Sequence, residues 1–142
     1  MGTYKFLPHT ADEKFLVKAS SLEDGFATCV QAFYEILLGK DIAVKKSTTQ
    51  DIALCAKKKE SLLYDFLNEL VFLLDESDLL LPVVEELVIE EKNGSFYLRA
   101  TLAGDKRFDY ALLTEIKNMT YSEMNILEHE DKSCQLTVVV DI

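Results

Sequence analysis

Positive charge is what this chain most lacks. Its 15 Lys and Arg face 25 Asp and Glu, a formal charge of -10, and the summed field of such a chain opposes unaided binding to the phosphate backbone of RNA or DNA. Glycine is scarce as well: there are five, and none sits in a Gly-rich loop able to cradle a phosphate. Cys29, Cys55 and Cys134 are odd in number and widely spaced, without a C-x-x-C pair. That pattern argues against a disulfide framework and a zinc cluster, and reads as three reduced thiols packed in the core as small hydrophobes. No apolar run reaches the roughly 18 residues that a membrane span needs, and the opening Met1-Gly2-Thr3-Tyr4-Lys5 has no signal-peptide h-region. The expectation is a cytoplasmic protein. G-x-S-x-G, H-E-x-x-H and EF-hand patterns are all missing, and nothing in the spacing of two His and three Cys favours a Cys/His pair. The chain does not read as a stand-alone enzyme.

What is present suits one α+β domain spanning residues 1–142, since 49% of the chain is hydrophobic and this length buries a sizeable core. Tyr4 to Leu7 and Glu13 to Ala19 read as short strands. Ser21 with Asp24 three residues on resembles a capping box, and Leu22, Phe26, Val30, Phe33 and Leu37 recur at helical spacing up to a Gly39 cap. Thr48 to Ala56 alternates as a strand. A second helix starts near Glu60 without a strong cap and carries Leu63, Phe66, Leu67, Leu70, Val71 and Leu74 on one face. Asp65, Asn68, Glu69 and Asp75 lie opposite and read as a solvated face; Pro82 blocks any continuation of the helix. Glu86 to Lys92, Asn93-Gly94 and Phe96 to Leu102 form a hairpin of type I′. A last strand pair, Ile116 to Leu127 and Ser133 to Asp141, is joined through the polar Glu128 to Lys132. Two main helices on mostly antiparallel sheet follow from this order.

Asp141 and Ile142 close a strand-like run, so a side-chain carboxylate and an α-carboxylate stand together where chain ends usually fray. The expectation is that this terminus is used. Asp12, in His9-Thr10-Ala11-Asp12 between two apolar stretches, offers a third carboxylate. Three such groups held together repel one another, and a hard divalent ion, calcium in the first place because it accepts loose oxygen geometry, resolves the conflict. On composition alone Asp12 also reads as a turn residue and Asp141 as a solvated strand end. Lys117 likewise reads as an edge charge, His9 as a structural residue able to ligate metal or shuttle protons, and His129 as a solvent-exposed residue of an acidic turn.

His9-Thr10-Ala11-Asp12, Leu63-Tyr64-Asp65-Phe66-Leu67-Asn68-Glu69-Leu70, the Lys117 to Tyr121 segment and the closing Val140-Asp141-Ile142 together resemble the archease family over essentially the whole chain. The resemblance implies an accessory activator of an RtcB-type RNA ligase in tRNA splicing, speeding guanylation of the ligase and supporting multiple turnover. It implies calcium at Asp12, Asp141 and the Ile142 carboxylate, and a functional lysine at Lys117. RNA would be met only through the ligase. Three departures stand out: Glu13-Lys14 follow Asp12, Ser122 takes a position that is often His in relatives, and Lys57 to Lys59 precede Glu60. Two other classes stay open, a small divalent-metal-dependent phosphoesterase or nuclease and a plain interaction or chaperone-like module.

Overall fold

Alternation over strands and 3.6-residue periodicity over helices resolve, in the computed structural model, into seven strands and two long helices; residues 2–8 and 12–142 are described. The order is β1 (Thr3–Leu7), β2 (Glu13–Ala19), α1 (Leu22–Leu38), β3 (Thr48–Ala56), α2 (Lys59–Ser77), β4 (Leu79–Lys92), β5 (Ser95–Lys106), a 3-10 turn at Arg107–Asp109, β6 (Asn118–Glu128) and β7 (Cys134–Asp141). The strands divide into two antiparallel sheets, β1-β2-β7-β6 and β3-β5-β4.

Each helix touches both sheets, α1 meeting β2 and β4, α2 meeting β6 and β3. Burial therefore runs nearly all round α1, where Phe26, Cys29, Val30, Phe33 and Leu37 have no exposed surface. Ser21 caps α1 as expected, its Oγ accepting the Asp24 N–H at 3.1 Å, and Gly39 ends it at φ 98 with its N–H on the Glu35 carbonyl. Gly25 lets α1 lie close on β7, for a Cβ there would stand 2.7 Å from Leu136 Cδ1.

α2 ends before Pro82 is reached. Asp78 adopts the left-handed conformation at φ 56 and turns its N–H back to Leu73 and Leu74, a conformation that Asp tolerates better than most residues. Pro82 then lies inside β4, which is twice as long as the hairpin arm expected at Glu86. Proline is accommodated because β4 is an edge strand whose register with β5 breaks between Leu80 and Val83. The buried Tyr34 hydroxyl accepts the Leu81 N–H at 2.9 Å beside this break. The hairpin turn matches its expected type, with Asn93 at φ 52 and Gly94 at φ 78 between paired Lys92 and Ser95.

The cysteine expectation needs correction at one site. Cys29 and Cys134 are buried, whereas Cys55 is exposed on β3 opposite Tyr97. All three are free thiols. No helix among the described residues is long and apolar enough to cross a membrane.

Candidate functional site at three strand ends

Register brings the expected residues to one end of the four-stranded sheet. β2 starts with Glu13 opposite Val140, so Asp12, in the bend just before it, stands level with Asp141. On the other side of β7, Asn118 is the direct partner of Asp141, and the Lys117 N–H donates to the Asp141 carbonyl at 2.9 Å. The start of β2, the end of β7 and the start of β6 thus carry Asp12, Asp141 and Lys117 side by side. Ile142 is half-buried and packs its side chain on the core. That anchor holds the chain beyond Asp141 against the body of the protein.

The aspartates are half-buried and Lys117 is exposed. Among the described residues, none of the three side chains has an ion-pair partner. No three His, Cys, Asp or Glu side chains of the described residues form a metal-holding group, so the donors that this end of the sheet offers are two aspartate carboxylates and main-chain oxygens. In chemistry this all-oxygen set fits a hard cation and offers nothing to a softer one. None of five surface depressions of about 180 to 370 Å³ is lined by Asp12, Lys117, Asp141 or Ile142.

Neighbouring residues brace it. Asn68, expected on the solvated face of α2, instead accepts the Met119 N–H on Oδ1 at 2.9 Å, pinning β6 two residues after Lys117. One turn earlier, Tyr64 stacks on Tyr121 with ring centroids 4.0 Å apart and planes 13° apart. β6 leaves its register with β7 between Thr120 and Asn125, and Glu123, at φ 63, accepts from Lys14 Nζ at 2.7 Å. Lys14, one of the departures from the family pattern, is thus held by that bulge. Sequence reasoning missed both, because helical spacing alone assigns Asn68 to a polar face and gives Tyr64 no place on either face; the signal available was two polar-tipped residues four apart, able to meet a single strand. His129 is exposed as expected, and its main chain closes the β6–β7 turn through Ser133 and Lys132. His9 lies outside the described residues.

The profile of the Archease protein family (MTH1598/TM1083) matches residues 4–142. The chain belongs to the archease family. This archease is 30% identical to protein archease of Methanosarcina mazei over 98% of its own length and 95% of the relative's. It is 30% identical to that of Pyrococcus furiosus, with both chains covered in full. Its fold superposes on the solution structure of Methanobacterium thermoautotrophicum protein 1598 with a TM-score of 0.81, at 25% identity and 98% coverage of each chain. The two helices on antiparallel sheets are thus shared with that structure, and the α+β expectation is met.

Proposed function

We propose that this archease is a non-enzymatic activator of an RtcB-type tRNA-splicing RNA ligase, promoting its guanylation and multiple turnover through the strand-end group. The observation that carries the reading is the register, which sets Asp12, Asp141 and Lys117 at adjoining strand ends. An exposed lysine beside half-buried aspartates at a rigid sheet end suits insertion into another protein's cleft better than enclosing a substrate of its own. Calcium is the cation this reading assigns to Asp12, Asp141 and the Ile142 carboxylate, and its chemistry is to neutralise carboxylates that otherwise repel. The Lys117 ammonium, without an ion-pair partner among the described residues, would pair with a phosphate or a ligase carboxylate. RNA is reached through the ligase, in keeping with a chain of charge -10.

The test is single-turnover guanylation of a cognate RtcB-type ligase, with and without the protein. Wild type is expected to speed the step, and Asp141→Ala and Lys117→Ala to lose that effect while unfolding at the wild-type urea midpoint. Calcium titration by calorimetry is expected to show binding weakened about tenfold or more in Asp141→Ala. No stimulation by wild type of an otherwise active ligase refutes the activator reading, and metal-dependent hydrolysis of RNA by the protein alone would replace it with a phosphoesterase.

A further inference from the structure

Three of the four sheet edges carry features that block strand addition. β1 is five residues long with Lys5 at its centre. β4 contains Pro82, two register breaks and a run of glutamates. β6 is broken between Thr120 and Asn125. Short length, proline, bulges and charge are the usual protections of an edge. β3 has no proline and no bulge, and Asp51 is its one charge: all nine residues from Thr48 to Ala56 pair with β5 in unbroken register, and β5 is its one strand neighbour among the described residues. Its other side is a row of main-chain donors and acceptors. The Asp51 carbonyl takes a hydrogen bond from the Gln50 side-chain amide at 3.0 Å, so at mid-strand an acceptor is served from within β3 itself.

Charge at the two ends of this edge selects what can add to it. Lys45 and Lys46 precede β3, and Lys57, Lys58 and Lys59 follow it, a third of the chain's 15 cations in a protein of net charge -10. Lys46 reaches Glu85 at 3.4 Å and Lys59 pairs with Glu128. Lys45, Lys57 and Lys58 have no ion pair among the described residues, though Lys45 acts on Asp105 from a distance. Within β3 the single charge, Asp51, is engaged by the Thr101 hydroxyl at 2.8 Å. A second copy of this chain is a poor occupant. Paired antiparallel it sets Lys45 and Lys46 against Lys57 to Lys59, and paired in parallel it sets each cluster against itself.

We propose that the free edge of β3 is a strand-addition site for an extended segment of a partner protein whose neutral centre is flanked by acidic residues. The main-chain ladder supplies affinity and the lysines at the two ends select the flanks. The site is independent of the strand-end group and does not rest on the ligase reading.

The test is amide hydrogen exchange of the whole chain at low salt, with a synthetic peptide of alternating Thr and Val closed by paired Glu at both ends. A matched peptide closed by Lys is the control. The Glu-flanked peptide is expected to slow exchange at every second amide of β3 and nowhere on β1, β4 or β6, while the Lys-flanked peptide leaves β3 unchanged. Lys57→Glu combined with Lys58→Glu, both exposed and outside the strand, is expected to weaken the Glu-flanked peptide about tenfold and to admit the Lys-flanked one. Equal binding of the two peptides, or no protection of β3 by either at millimolar concentration, overturns the proposal. Protection of β3 that grows with protein concentration in the absence of peptide also overturns it, in favour of a second copy.

Discussion

Replacing Asn68 by alanine removes a side chain that fixes the main chain of β6 beside Lys117. Asn68 Oδ1 accepts the Met119 N–H at 2.9 Å in a part-buried setting, and Met119 itself is 1% exposed. A buried donor left without a partner costs about 1 to 3 kcal/mol. Because the bond is only partly buried, water recovers some of that cost, and about 1.5 kcal/mol is expected. At a urea dependence of about 2 kcal/mol per molar, this lowers the unfolding midpoint by about 0.7 M. Exchange of the Met119 amide is expected to quicken by about tenfold, beyond any change at β3. Asn68→Asp keeps an acceptor at the same reach and is expected to hold Met119 protection near the wild-type level. Ligase stimulation by Asn68→Ala is expected to fall, since the Lys117 N–H to Asp141 bond lies two residues from the lost anchor. Wild-type midpoint and unchanged Met119 exchange in Asn68→Ala would refute the argument and return Asn68 to the solvated face that its helical position suggests.

Tyr34→Phe is expected to cost about 1 to 3 kcal/mol in urea unfolding, because the buried Leu81 N–H loses the hydroxyl it reaches at 2.9 Å; an unchanged midpoint would show that β4 finds that N–H another partner. A thiol reagent is expected to modify Cys55 quickly in the native protein and Cys29 and Cys134 only on unfolding. Cys55 is exposed, whereas burial pushes the Cys29 thiol up and the Cys134 thiol up to about 11; equal rates for all three would contradict this. Asp105 is held below its ordinary value of 3.8, first by the Ser47 hydroxyl, then by the Tyr110 hydroxyl and the Lys106 N–H. A carboxylate depressed by folding adds stability above its unfolded pKa and loses it as pH falls through the folded one. The destabilisation caused by Asp105→Asn is therefore expected to be full at neutral pH and to vanish at the acid end of a pH series of unfolding midpoints; a constant difference across the series would refute it.

Much of the framework is legible in the sequence where one local rule decides it. Ser21, Gly39 and Asn93-Gly94 each impose their geometry within a few residues, and the structure agrees at all three. Where the deciding contact lies far along the chain, local rules fail. Pro82 does lie a few residues past the end of α2, but its place inside a strand is not legible locally: it is tolerated because β4 turns out to be an edge. Asn68 looks solvated until β6, fifty-one residues on, supplies Met119. Division of the strands into two sheets is likewise invisible to periodicity, since alternation tells which side of a strand is apolar and not which strand lies next to it. Element ends alone suggest that Asp12 and Asp141 converge; it is the pairing of β2 with β7 that sets them level.

That pairing also explains how an exposed charge group is placed so narrowly. Leu136, Val138 and Val140 have no exposed surface and face the core, so Asp141 falls on the opposite face of β7. A slip of β7 by one residue against β2 or β6 would move all three apolar side chains to the face of Gln135, Thr137 and Asp141, where Val139 alone is fully covered, and carry Asp141 inward. Fully exposing even one such side chain costs about 1.5 to 3 kcal/mol, several times what an exposed charge pair contributes. The packing of three buried residues on β7, rather than any attraction among the charges, therefore sets where Asp141 meets Asp12 and Lys117. It follows that Val138→Thr, which keeps the shape while weakening the burial preference, is expected to lower stability by about 1 to 3 kcal/mol through a buried hydroxyl. It should also broaden the resonances of Asp12, Lys117 and Asp141 together, although none of the three is substituted. If stability falls while those resonances stay sharp and unshifted, the register is held by some other contact and this account of the site is wrong.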